Sequence, residues 1–250
     1  LNKYDFTYAE GLKDSTSEKA LKNHVIYSVD EASIILKSEK FRLRLPKGKG
    51  TYSPEAIRNE REVESERVLA NLHGTFYEIP LYKVGSEPLY KMIRPVSTHN
   101  RQITDFATWN GLLLMSGIQL DNSNSEHIIK NKTEDAALWV GGIDDIWKFG
   151  KPVGEGGVWK NSAVKANEPS DMYLMTGYDH KTVTLTADKD VEITLSVYHT
   201  HYSNNPVVYK TFKLKANKAI SHTFPSGYSA HWISAESNKD CNATAWFSYK

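Results

Sequence analysis

Strict two-residue alternation constrains this chain more than any other feature. In "DVEITLSVYHT" the apolar positions are Val191, Ile193, Leu195 and Val197, and in "VVYKTFKLKA" they are Phe212, Leu214 and Ala216. Successive side chains on a strand point to opposite faces, so this period describes half-buried strands and excludes amphipathic helices. The texture runs from "MYLMTGY" to "ATAWFSYK", and the polar turns "ADKD", "KANKA" and "SNKD" punctuate it. It predicts an antiparallel β-sandwich of seven short strands over residues 172–250, with little or no helix.

Earlier segments also read as strands, less regularly. "ASIILKS", "FRLRLP", "GTFYEIPLY", "LYKMIRP", "QITDFATW", "LLLMSGI" and "AALWVGG" are short and bounded by charge, proline or glycine. In "EREVESERVLANL" (60–72) a helix competes with strand, because the charges favour helix while Val63, Val68, Leu69 and Leu72 make a poor helical stripe. Strand, short turn, strand, with aromatic and glycine punctuation, is the texture of stacked propeller blades, although no blade signature repeats cleanly. The expected fold class is all-β: propeller-like antiparallel sheets over 1–161, part of a larger domain, then "SAVKANEPSD" (162–171) as a linker, then the C-terminal β-sandwich at 172–250.

A formal net charge of +1 gives no basic or acidic excess with which to hold nucleic acid or a membrane surface. No apolar run approaches the roughly 20 residues of a membrane span. With Cys241 the single cysteine, no intrachain disulfide forms. No phosphate loop, nucleophile elbow or zinc motif occurs, so no cofactor is expected. The two-residue spacing of His199 and His201 places them on one face of a strand, where they would hold a metal edge-on, but no third ligand accompanies them and exposed polar strand positions are the simpler reading. No metal is therefore expected.

Two constellations carry chemistry. The first gathers His73, Tyr77, Glu78, Arg94, His99, Asn100, Arg101, Asp105 and Trp109 within forty positions. These are the parts for β-elimination on a uronic acid: Arg94 neutralises the carboxylate, His73 or His99 removes the C5 proton, and Tyr77 protonates the leaving oxygen. Arg101, Asn100, Asp105 and Trp109 would hold the sugar. The alternative is structural, with the histidines bonded to loop backbone and the arginines paired with Glu78 or Asp105. The second constellation is "GGIDDIWKFGKPVGEGGVWKN" (141–161), where Asp145, Trp147 and Glu155 would place carboxylates beside an indole. Asp144 and Asp145 are adjacent and would face opposite ways on a strand, so Asp145 with Glu155 is the better pairing. The alternative there is a glycine-rich turn whose tryptophans fill the core.

From about residue 60 onward, "HGTFYEIP", "IRPVSTHNRQITDFATWNGLLLMSG", "ALWVGGIDDIWKFGKPVGEGGVWKN", "SDMYLMTGYD" and "AHWISAESNKDCNATAWFSYK" together resemble the carboxyl-terminal part of a family of large secreted bacterial proteins from glycan-degradation loci. Those proteins look like β-propeller-type repeats followed by a terminal sandwich. The resemblance implies a secreted, periplasmic or cell-surface location, a polysaccharide or oligosaccharide partner, and a further N-terminal portion of the same protein. It implies a carbohydrate context without an established reaction; the function expected in that context is a glycoside hydrolase or polysaccharide lyase acting on a complex or acidic glycan, and the alternative is a non-catalytic carbohydrate-binding or propeller-capping module. It assigns no catalytic residues.

Overall fold

The computed structural model describes residues 25–48, 60–63, 67–82, 88–99, 101, 103–117, 125–201 and 205–250. The protein is predominantly β, with several antiparallel sheets. Strands β1 (Ile26–Val29), β2 (Ile34–Lys37) and β3 (Arg42–Leu45) form a meander. A second meander contains β4 (Glu60–Val63), β5 (Arg67–Leu72), β6 (Thr75–Pro80) and β7 (Arg94–Thr98). A third sheet has β8 (Asp105–Trp109), β9 (Leu112–Ser116), β10 (Ile128–Lys130) and β11 (Ala137–Gly141) in the order β10-β11-β9-β8.

The remaining strands are β12 (Gly154–Val164), β13 (Met172–Leu174), β14 (Lys181–Ala187), β15 (Val191–Tyr198), β16 (Val207–Leu214), β17 (Ile220–Thr223), β18 (Trp232–Ser237) and β19 (Cys241–Tyr249). They divide between two sheets. One has the order β12-β19-β14-β17, and the other is seven-stranded, β1-β2-β3-β13-β18-β15-β16. The alternation behaves as the sequence predicts. Val191, Ile193, Leu195 and Val197 are buried, as are Val183, Leu185 and Ala187 on β14, and both rows belong to one apolar cluster. Tyr173 of β13 stacks on Phe247 of β19 at 5.0 Å between ring centroids, joining the two sheets.

The N-terminal meander enters the seven-stranded sheet through a parallel seam between β3 and β13. A paired cation locks that seam. Arg44 donates through Nη1 to Asp30 Oδ2 (2.7 Å) and Ser33 Oγ (2.8 Å), and through Nε to Asp171 Oδ2 (2.9 Å). A guanidinium this buried is tolerated because carboxylates and a hydroxyl receive its donors.

Hydrogen bonding runs across the divisions expected at residues 161 and 172. β12 is a continuous strand paired with β19 from Gly154 to Val164, with two register shifts, and it takes up the first residues of the expected linker. Its glycines explain how. A Cβ on Gly157 would stand 1.9 Å from Ala245 O, and Gly156 at φ +149° approaches Ala32 O closely enough that a Cβ would reach 2.6 Å. The glycines thus let β12 press against β19 and the β1–β2 turn.

Residues 60–72 form strands, not helix. β5 sits in a sheet covered on both faces: Val68, Ala70 and Leu72 join the main core, whereas Leu69 joins a second core with Phe76, Val96, Phe106, Leu113 and Trp139. Burial on both faces removes the polar-apolar alternation that marks a strand. His199 and His201 lie beyond the end of β15 at Tyr198, in a loop and not on a strand face. No group of three or more metal-ligating side chains occurs among the described residues.

Candidate functional site

Downstream of β11 the chain turns through Gly141 and Gly142 into a 3-10 helix, Ile143–Phe149. Asp145 caps it: Oδ2 accepts the Gly142 N–H at 2.8 Å, and Lys148 Nζ donates to Oδ1 at 2.7 Å. These contacts, the Lys148 bond foremost, hold the Asp145 carboxyl below its ordinary range. Ile146 is buried in the second core and fixes the helix against the sheet. Phe149 meets Trp139 edge to face at 5.4 Å, and the Arg101 guanidinium lies 5.3 Å from the Phe149 centroid. The edge contact and the cation over the ring are both favourable geometries.

On the other side His127 stacks on Trp139, with centroids 4.9 Å apart and planes 26° apart. Its Nδ1–H donates to Val140 O at 3.0 Å, which leaves Nε2 as the acceptor nitrogen. The stack depends on glycine, since a Cβ at Gly141 would come within 2.4 Å of the Trp139 ring and 2.9 Å of His127 Nδ1. Together with Ser125 and Ile128, these side chains enclose a cavity of about 200 Å³. It is smaller than the roughly 300–1,000 Å³ of sites for larger ligands, so it fits one small group or one residue of a longer chain. The cavity presents a guanidinium, an ammonium, an imidazole and two aromatic walls. Its carboxylate, Asp145, is already bonded to Lys148, and no carboxylate of the described residues pairs with Arg101.

The sequence-predicted residues fall in several places. Arg101 and Asp145 come from separate constellations and meet in this cavity. Tyr77 does not reach solvent. It is 0% exposed in the main core, its Oη donates to Pro46 O at 2.9 Å, and burial pushes its phenol well above the ordinary range. His99 is 8% exposed and uses both ring nitrogens: Nδ1 accepts the Arg101 N–H, and Nε2–H donates to Asn71 Oδ1, each at 2.9 Å. Burial, and secondarily the Arg101 charge, push it down to about 4. It therefore positions the Arg101 loop. His73 occupies the β5–β6 turn at φ +48° with Gly74 behind it at +76°. Arg94 Nη2 donates to Glu78 Oε1 (3.0 Å) while Arg67 Nη1 takes Oε2 (3.1 Å), a cross-strand triad away from the cavity lining.

Asp105 accepts the Phe106 N–H at 2.9 Å on β8. Trp109 is 62% exposed at the tip of the β8–β9 hairpin, and Trp147 is 50% exposed on the 3-10 helix. Glu155 lies on β12 and bridges Lys47 through its backbone, so Asp145 and Glu155 do not form an acid–base pair in the cavity. Asn100 lies outside the described residues.

Sequence reasoning did not single out His127, Trp139 or Phe149. His127 sits in a polar run, "NSNSEHIIKN", and Trp139 in an ordinary strand; only the sheet order β10-β11-β9-β8 makes them neighbours. The chain matches no protein-family model and no curated protein.

Proposed function

We propose that the protein is a non-catalytic binding module for carboxylate-bearing glycans, and that the cavity around Arg101 receives a uronate residue. One observation carries this reading: a guanidinium with no carboxylate partner among the described residues, aromatic walls and an oriented imidazole converge on one small concavity. A uronate offers a carboxylate to the Arg101 fork and an apolar ring face to an aromatic wall. The resemblance to secreted proteins of glycan-degradation loci supports the same context and a location outside the cytoplasm. At fold level we read β4–β7 and β8–β11 as two propeller-type blades, and the two sheets of β12–β19 with the N-terminal meander as a β-sandwich.

Binding is preferred to elimination because elimination needs a base, a carboxylate neutraliser and an acid around one sugar. Arg101 and His127 supply two of those roles, and no phenol lines the cavity among the described residues. Calorimetric titration with uronate oligosaccharides and their neutral counterparts tests the proposal. The intact protein should bind the acidic series, and Arg101→Ala should weaken it about tenfold or more, the size of one lost charge-assisted contact. Equal binding of both series, no loss in Arg101→Ala, or release of unsaturated sugar products would overturn it.

A further inference from the structure

We infer that His99 is an acid-sensitive positioning residue: its neutral ring holds Arg101 at the cavity, and protonating that ring releases Arg101. The consequence for ligands rests on the uronate reading of the cavity, whereas the coupling between the two residues does not. The chain leaves β7 with its backbone pinned. Thr98 Oγ1 accepts the Val153 N–H at 3.0 Å and lies 3.0 Å from Thr75 Oγ1, and the His99 N–H donates to Gly74 O at 2.8 Å. Among the described residues, the next backbone donor bonded to a sheet is Thr104, to Ser116 O. Between them the Arg101 N–H has one partner, His99 Nδ1 at 2.9 Å.

That bond has a chemical condition. A neutral imidazole offers one acceptor nitrogen and an imidazolium offers none. Because Nε2–H is committed to Asn71 Oδ1 at 2.9 Å, Nδ1 is the nitrogen left to accept. A proton on Nδ1 turns that acceptor into a donor facing the Arg101 N–H, and the bond breaks. Turning the ring does not restore it, since both nitrogens then donate. The ring also packs against Phe149, 6.3 Å between centroids, and the Arg101 guanidinium lies 5.3 Å from the same phenyl. Protonation therefore sets two like charges against one aromatic wall.

The elements around the ring leave the effect to these two residues. β5 presents Asn71 and β6 presents Phe76, neither of which titrates, and the β5–β6 turn carries His73. On the 3-10 helix Asp145 and Lys148 pair with each other, and across the cavity His127 is bonded to Val140 O. Burial first, and then the Arg101 charge, push His99 down to about 4. Above that pH the ring is neutral and Arg101 is held; the hold is lost as pH falls through it.

Magnetic resonance of the whole protein labelled with nitrogen-15 arginine follows the Arg101 amide, identified by its loss in Arg101→Lys. Its shift should move with a midpoint near pH 4, coincident with the His99 imidazole carbons. His99→Asn supplies the control, because its Oδ1 can accept the N–H two residues on without titrating; there the Arg101 amide should stay fixed. Titration calorimetry with tetragalacturonate gives the second readout. Relative to His99→Asn at the same pH, which removes the titration of the ligand and of other groups, the intact protein should bind about twofold more weakly at pH 4 and about fourfold at pH 3.5. An Arg101 amide that ignores the His99 titration, the same response in His99→Asn, or a constant affinity ratio would overturn the inference. Failure of tetragalacturonate to bind at pH 7, with the Arg101 titration intact, would remove the uronate reading and leave the coupling standing.

Discussion

His99 is held neutral by its surroundings, and this has a measurable consequence. Its folded pKa of about 4 lies below the ordinary 6.5. Between those values the unfolded chain binds a proton that the folded chain refuses. Stability is therefore full above about pH 6.5 and falls as pH drops toward 4, by up to about 1.4 kcal/mol per pH unit from this residue. His231, pushed down to about 4 mainly by burial, acts in the same direction. Urea unfolding at pH 7 and pH 5 should show the intact protein losing more stability than His99→Gln, after a common loss shared by both. Tyr77 makes the complementary case. Tyr77→Phe removes a hydroxyl bonded to Pro46 O and should cost about 1 kcal/mol while leaving oligosaccharide affinity unchanged. Arg94→Ala likewise should leave uronate binding intact, because its guanidinium serves Glu78; lost affinity in that variant would return Arg94 to the binding site.

At the scale of elements, the glycines of β12 decide whether two sheets can meet. Gly156 combines φ +149° with a Cβ path ending 2.6 Å from Ala32 O and 3.0 Å from Tyr173 Oη. Gly156→Ala should destabilise the fold by about 2–4 kcal/mol in urea titrations, through backbone strain and overpacking together. Gly227, at φ +72° with nothing within 4 Å, is the control in which only the backbone cost of roughly 1 kcal/mol remains. The glycine-rich stretch was legible as special from sequence, but its purpose was not. Close approach to Ala245 O and Ala32 O depends on strands far away in the chain. The same limit hid the character of β5, whose Leu69 and neighbouring Val68 serve different cores. Where one face is solvated, as on β14 and β15, alternation identified the strands and their inner rows directly. Arg101 and Asp145 were legible as binding groups by residue type, whereas their meeting with His127 and Trp139 required the order β10-β11-β9-β8.

For the molecule as a whole, the sheets overlap the chain divisions that composition suggests. β19 lies between β12 and β14, and β13 lies between β3 and β18. A fragment of residues 172–250 would thus lose β12 from one sheet and β1–β3 from the other. It would expose two unpaired edges, the nine-residue β19 and the three-residue β13, and with them the faces that Val158, Trp159, Leu43 and Leu45 cover in the shared core. It would also leave both Arg44 and Asp171 behind, and with them the ion pair beside the β3–β13 seam. Edge exposure of this kind favours association over monomeric folding. The fragment should therefore show no cooperative thermal transition as a monomer and should aggregate at micromolar concentration. Mixing it with a second fragment covering residues 1–171 should restore a soluble complex with a cooperative transition, as the two seams re-form. Scanning calorimetry with light scattering separates the outcomes. A sharp two-state transition from the isolated 172–250 fragment would mean that its seven strands are self-sufficient and that the N-terminal meander is an accessory to them.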